Sequence, residues 1–128
     1  MTAQSTNPSW IDEIDHHLQI VVADNQYPAR LALAGDLDLA GGDQLESMIQ
    51  PWILQGARVE LETHLLGFVD SSGLAALIAI AQRLEEVGGH LVLVDPSAQL
   101  LHLLELTRTG DQFTISNAPA RVPMHVRR

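Results

Sequence analysis

The residues best suited to chemistry in this 128-residue chain fall in two short runs, Gly67-Phe68-Val69-Asp70-Ser71-Ser72-Gly73-Leu74 and, upstream, Gly35-Asp36-Leu37-Asp38. Adjacent hydroxyls beside a carboxylate can cap a helix, attack an electrophile or accept a phosphoryl group. Attack needs a base held against the hydroxyl. Ser71 is not in a Gly-x-Ser-x-Gly elbow, and no histidine (positions 16, 17, 64, 90, 102 and 125) has a local spacing that ties it to Ser71. The histidines also show no His-x3-His or His-Glu-x-x-His ligand spacing, and His16 and His17 would point to opposite sides of a strand, so no metal site is expected. There is no Gly-x-x-x-x-Gly-Lys loop and no lysine anywhere, which excludes a Walker-type phosphate lysine; no cofactor is expected. Capping and phosphate acceptance remain. Asp and Ser are ordinary N-cap residues, and on local pattern alone Asp36, Asp38, Asp70, Ser71 and Ser72 read first as turn and cap residues.

The elements around these residues follow from periodicity. Val59, Leu61 and Thr63 alternate with Glu60 and Glu62, the period-two pattern of a half-buried strand that continues through Leu65, Leu66, Phe68 and Val69. Leu74, Leu77, Ile78, Ala81 and Leu84 then line one face of a helix, which Gly88-Gly89 ends. Asp70, Ser71 and Ser72 thus stand at a strand-to-helix junction. There the first-turn N–H groups have no intrahelical partner, and the helix dipole presents partial positive charge.

Before this junction, Leu18 to Ala23 and Leu31 to Ala34 flank the turn signal Asp24-Asn25-Gln26 and predict a hairpin. Leu45, Met48, Ile49, Trp52 and Ile53 have helical spacing from near Asp43, with Pro51 expected to kink or interrupt the helix. After it, His90 to Val94 reads as a buried strand ended by Asp95-Pro96. Ser97 caps a Leu-rich helix over Leu100 to Leu106, and Phe113-Thr114-Ile115 forms a last short strand. Trp10, Ile11 and Ile14 suggest a short amphipathic turn or edge strand. The order strand, strand, helix, strand, helix, strand, helix, strand gives one α/β domain over residues 16–116, between a loosely packed segment 1–15 and a flexible tail 117–128.

Composition sets outer limits. With 46% hydrophobic but 4% aromatic residues, the core is aliphatic. A net charge of −9, with all seven basic residues arginine, excludes a nucleic-acid or anionic-membrane binder. No apolar run reaches the ~20 residues of a bilayer span. The N-terminus lacks a signal peptide's basic start and apolar core, and there is no cysteine, so a cytoplasmic location is expected.

Phe68-Val69-Asp70-Ser71-Ser72-Gly73-Leu74 resembles the signature of STAS domains, in particular the bacterial anti-sigma factor antagonists. The resemblance covers roughly Leu18 to Ile115. It implies a mixed sheet of four to five strands with helices packed mainly on one face. It also implies a non-enzymatic regulator of transcription. In that family the first serine of Asp-Ser-Ser-Gly is phosphorylated by the anti-sigma factor, itself a serine kinase; carried over, the acceptor is Ser71, with Ser72 the alternative. The final Asp of the family's Gly-acid-Leu-Asp sequence lies beside that serine, and Asp38 matches it.

The partner surface implied is Asp38, Asp70, Ser71, Ser72 and Gly73, with Asp38 orienting the Ser71 hydroxyl or holding the kinase's groups. The implied partners are the anti-sigma factor kinase and, as a further candidate, a phosphatase. Unphosphorylated protein is expected to bind the anti-sigma factor and free the sigma factor, and phosphorylated protein to let go. The alternative within the same resemblance is a non-switching STAS subunit of a lipid-transport ABC assembly, in which Ser71 and Ser72 are only caps. A nucleotide-binding sensor and an enzyme fit less well, for want of a phosphate loop and of a base.

Overall fold

A computed structural model describes residues 17–24 and 28–117. The expectations for residues 1–15, including Trp10, Ile11 and Ile14, and for the tail beyond Asn117 lie outside the described residues.

The chain forms β1 (Gln19–Asp24), β2 (Ala29–Leu37), α1 (Leu39–Leu54), β3 (Arg58–Val69), α2 (Ser71–Glu86), β4 (His90–Val94), α3 (Ala98–Thr107), a 3-10 turn (Gly110–Gln112) and β5 (Thr114–Ser116). The strands lie side by side in chain order in one five-stranded sheet. The β1–β2 hairpin is antiparallel, and every later pair is parallel. Three parallel steps in one direction, with one helix in each crossover, bring α1, α2 and α3 into one core cluster on the same face, as the usual right-handed crossover would.

Register explains the core. Leu31, Leu61 and Leu93 sit opposite one another on β2, β3 and β4. All three are fully buried, packed in one cluster with Leu45 and Ile49 of α1, Leu77, Ile80 and Leu84 of α2 and Leu100 of α3. The alternating partners Arg30, Glu60 and Glu62 face the other way, where Arg30 Nε lies 3.2 Å from Glu60 Oε1 and Arg30 Nη2 3.8 Å from Glu62 Oε2. Thr63, buried on the core side of this alternation, donates its hydroxyl to the Val94 carbonyl at 3.3 Å.

The start expected for α1 is corrected, and of the kink or interruption expected at Pro51 the interruption does not occur. The helix starts at Leu39, a full turn before Asp43, because Asp38 caps it and the buried pair Gly41-Gly42 packs despite low helix propensity. It also runs unbroken to Leu54 with Pro51 inside. Ser47 and Pro51 are both solvent-exposed, so water can take the bond that the Ser47 carbonyl loses. Among the described residues no helix is long and apolar enough to cross a membrane.

Candidate functional site

The site is built where β2 and β3 end together. Leu37 pairs with Val69 in the parallel register, and the Asp70 N–H donates to the Leu37 carbonyl at 3.3 Å. The next residue of each strand is therefore an aspartate in extended conformation, and each opens a helix. Asp38 accepts from the Gly41 N–H at 2.9 Å, and Asp70 from the Gly73 N–H at 2.9 Å. Each cap satisfies one of the orphan donors of its first turn.

Gly73 makes this junction possible. A Cβ there would stand 2.0 Å from the Leu37 carbonyl oxygen, so only glycine lets the first turn of α2 lie against the end of β2. Gly42 does the same between the helices, since a Cβ there would be 2.8 Å from the Ala76 Cβ.

The two serines are thereby distinguished. Ser71, the first residue of α2, is exposed, and the capping bond belongs to Asp70. Ser72 is half-buried and lines a groove of about 380 Å³ between α1 and α2, with Leu39, Asp43 and Glu46 on the α1 side and Ala75 and Ala79 on the α2 side. Two large apolar side chains close in sequence to the caps are exposed: Leu39 (65%), which follows Asp38, and Phe68 (45%), two residues before Asp70.

Acids occur at both ends of the strands, with Glu60, Glu85, Glu86 and Glu105 at the end away from Ser71, but the arginines do not. The end that carries Ser71 holds Asp36, Asp38, Asp43, Glu46 and Asp70. The four arginines among the described residues lie toward the other end: Arg30 and Arg58 at the starts of β2 and β3, Arg83 in the last turn of α2 and Arg108 at the end of α3.

The structure thus brings Asp38, Asp70, Ser71, Ser72 and Gly73 to one end of the fold. The Asp38 Oδ1 is held by Gly41, and among the described residues no hydrogen bond joins it to Ser71. Gly73 is buried and serves the site by position. The groove residues Asp43, Glu46, Ala75 and Ala79 were absent from the sequence reading; the acids look like ordinary helix surface and the alanines like helix filler until two helices start side by side. No group of His, Cys, Asp or Glu suited to a metal ion occurs among the described residues.

Comparison with known proteins agrees with this geometry. The anti-sigma-B factor antagonist of Bacillus subtilis is 25% identical over 100 residues, covering 78% of this chain and 92% of that protein. The anti-sigma factor antagonist SpoIIAA in its unphosphorylated form superposes with a TM-score of 0.64 at 25% identity, over 86% of this chain and 96% of that one. SpoIIAA of Bacillus in its phosphorylated form gives a TM-score of 0.62 at 24% identity, over 87% of this chain and 99% of that one. A family model described as "Mlab, STAS domain" matches residues 20–116, and the chain belongs to the STAS domain family.

Proposed function

We propose that the protein is an anti-sigma factor antagonist whose unphosphorylated form binds an anti-sigma factor with serine-kinase activity and whose phosphorylation on Ser71 breaks that complex. The observation that carries this is the exposure of Ser71 at a helix start already capped by Asp70. Its hydroxyl is free of the structural work that the local sequence could have given it. A kinase can reach it, whereas Ser72 is half-buried against α1.

The switch is electrostatic. A phosphate on Ser71 adds roughly −1.5 to −2 charge beside Asp70 and Asp38. The helix start favours that charge by only ~0.3–1 kcal/mol. In a contact surface, with Leu39 and Phe68 presenting apolar area around it, the uncompensated dianion costs several kcal/mol, and each 1.4 kcal/mol is tenfold in affinity. Asp38 acts through the placement of α1 and through its charge. An Asp38→Asn variant that is phosphorylated and binds normally would show that the charge is dispensable.

The test is capture. Immobilised wild-type protein and a Ser71→Glu variant are each exposed to a lysate of the source organism, and retained proteins are identified by mass spectrometry. Retention of a kinase-like protein by wild type alone supports the switch. The second reading is a non-switching STAS subunit of a lipid-transport ABC assembly, in which Ser71 and Ser72 are only caps. Retention of the same transport ATPase by both proteins would replace the switch with that reading.

A further inference from the structure

We propose that the groove between α1 and α2 is a docking site for a partner segment that carries arginine or lysine on one side and small apolar side chains on the other. This rests on the proposed function only for who the partner is; the groove's chemistry is read from its walls. Its floor is apolar and shallow because α2 contributes Ala75, Ala76 and Ala79, and because Gly42 brings the helix backbones close. Leu39, 65% exposed, is the one large apolar side chain in its lining. One wall, formed by α1, carries Asp43 and Glu46 one turn apart.

Neither acid is in an ion pair among the described residues, whereas Arg30 and Arg58 are engaged with Glu60 at the far end of the sheet. The nearest strand end adds Asp36, Asp38 and Asp70 to the same field, and none of the residues lining the groove is an arginine. Cationic groups are drawn to such a surface and anionic ones repelled, and the alanine-lined floor offers apolar contact to small side chains. Ser72 lines the groove and Ser71 precedes it in the chain, so a segment seated there would feel the charge of a phosphate on Ser71.

The probe is a pair of synthetic helical peptides with the same Ala/Leu face, one with arginine and the other with glutamate on its polar face. Each is titrated into the 15N-labelled full chain and followed by NMR. The arginine peptide is expected to shift the amides of residues 39–46 and 72–79 and to bind at least about tenfold more tightly than the glutamate peptide. Asp43→Arg combined with Glu46→Arg, and separately Ala75→Phe, which fills the floor and leaves the charge, should each weaken it about tenfold or more.

Shifts scattered over the acidic surface, or binding that survives both changes, overturn the proposal. A full-chain variant with Arg121→Ser, Arg127→Ser and Arg128→Ser covers the remaining occupant. Groove amides that move in that variant without any peptide assign the groove to the chain's own C-terminal segment, and the partner proposal falls. The two readings fail separately: loss of kinase capture in Ser71→Glu with no peptide binding removes only the groove, and peptide binding with capture insensitive to Ser71→Glu removes only the switch.

Discussion

Replacing Gly73 by alanine should damage the fold far more than any change to the serines beside it. A Cβ at position 73 would lie 2.0 Å from the Leu37 carbonyl oxygen, 2.7 Å from its carbonyl carbon and 2.9 Å from its Cγ. Leu37 is fully buried, and its carbonyl already accepts the Asp70 N–H at 3.3 Å, so the obstacle is backbone that cannot rotate away. Relief needs the first turn of α2 and the end of β2 to part by more than ~1 Å. Overpacking of this kind costs ~1–3 kcal/mol. Separation also weakens the Asp70–Leu37 hydrogen bond and disturbs the Asp70 cap, each worth ~1 kcal/mol, while the better helix propensity of alanine returns ~1 kcal/mol. The net loss is ~2–4 kcal/mol, or a fall in Tm of roughly 10–25 °C for a domain of this size. Thermal and urea unfolding followed by circular dichroism measure it. Gly110→Ala is the control, because a Cβ there meets nothing within 4 Å, and it should change stability by less than ~1 kcal/mol. A Gly73→Ala protein within about 0.5 kcal/mol of wild type would refute the packing account of this junction.

Three further outcomes follow from the same geometry. Asp38→Ala and Asp70→Ala should each lose ~1 kcal/mol in urea unfolding, and the double variant should depart from the sum because the two caps share the Leu37–Asp70 contact. Ser71→Ala should unfold within about 0.5 kcal/mol of wild type, since Asp70 holds the cap; a loss nearer 1 kcal/mol would mean that the serine caps the helix. Leu39→Ser and Phe68→Ala should leave unfolding nearly unchanged but weaken retention of the captured partner about tenfold or more, measured by surface plasmon resonance, because both are exposed apolar side chains close in sequence to the capping aspartates.

The strand-to-helix junction was legible in the sequence because two periods meet there: alternation through Val59, Leu61 and Thr63, then helical spacing from Leu74 to Leu84. The hairpin and the five-strand order followed from turn residues in the same way. What stayed hidden depended on neighbours distant in the chain. The first turn of α1, Leu39-Ala40-Gly41-Gly42, looks like a loop because its glycines are poor helix formers. Their purpose is visible only when Gly41 is seen against the Asp36 carbonyl and Gly42 against Ala76. Pro51 gave a break signal, but Ser47 and Pro51 lie on the exposed side of the helix, where water can take the bond that proline cannot donate. Asp38 and Asp70 were recognised as candidates, but their pairing depends on the Leu37–Val69 register, which no local pattern encodes.

That register is also what would let a phosphate act without refolding the domain. Parallel neighbouring strands that end level place two helix starts side by side, so their dipoles present positive partial charge to one patch while Asp38 and Asp70 place negative charge in it. For a phosphate on Ser71 in water these terms nearly offset, each ~1 kcal/mol or less, and neither approaches the cohesion of a core in which Leu31, Leu61 and Leu93 are fully buried. The chain's fold matches unphosphorylated and phosphorylated SpoIIAA almost equally, with TM-scores of 0.64 and 0.62, as expected if in that protein too the modification leaves the fold in place. Remove the water by laying a partner across Ser71, and the offset fails, because desolvation penalises every charge in the patch while the dipole term stays small. The same group that is nearly neutral to stability then decides association, and this asymmetry has a direct readout. Phosphorylated and unphosphorylated protein should unfold within about 1 kcal/mol of each other, while their affinities for the partner differ by two or more orders of magnitude. A phosphorylated form that loses stability and affinity in equal measure would place the effect in the fold and not in the interface.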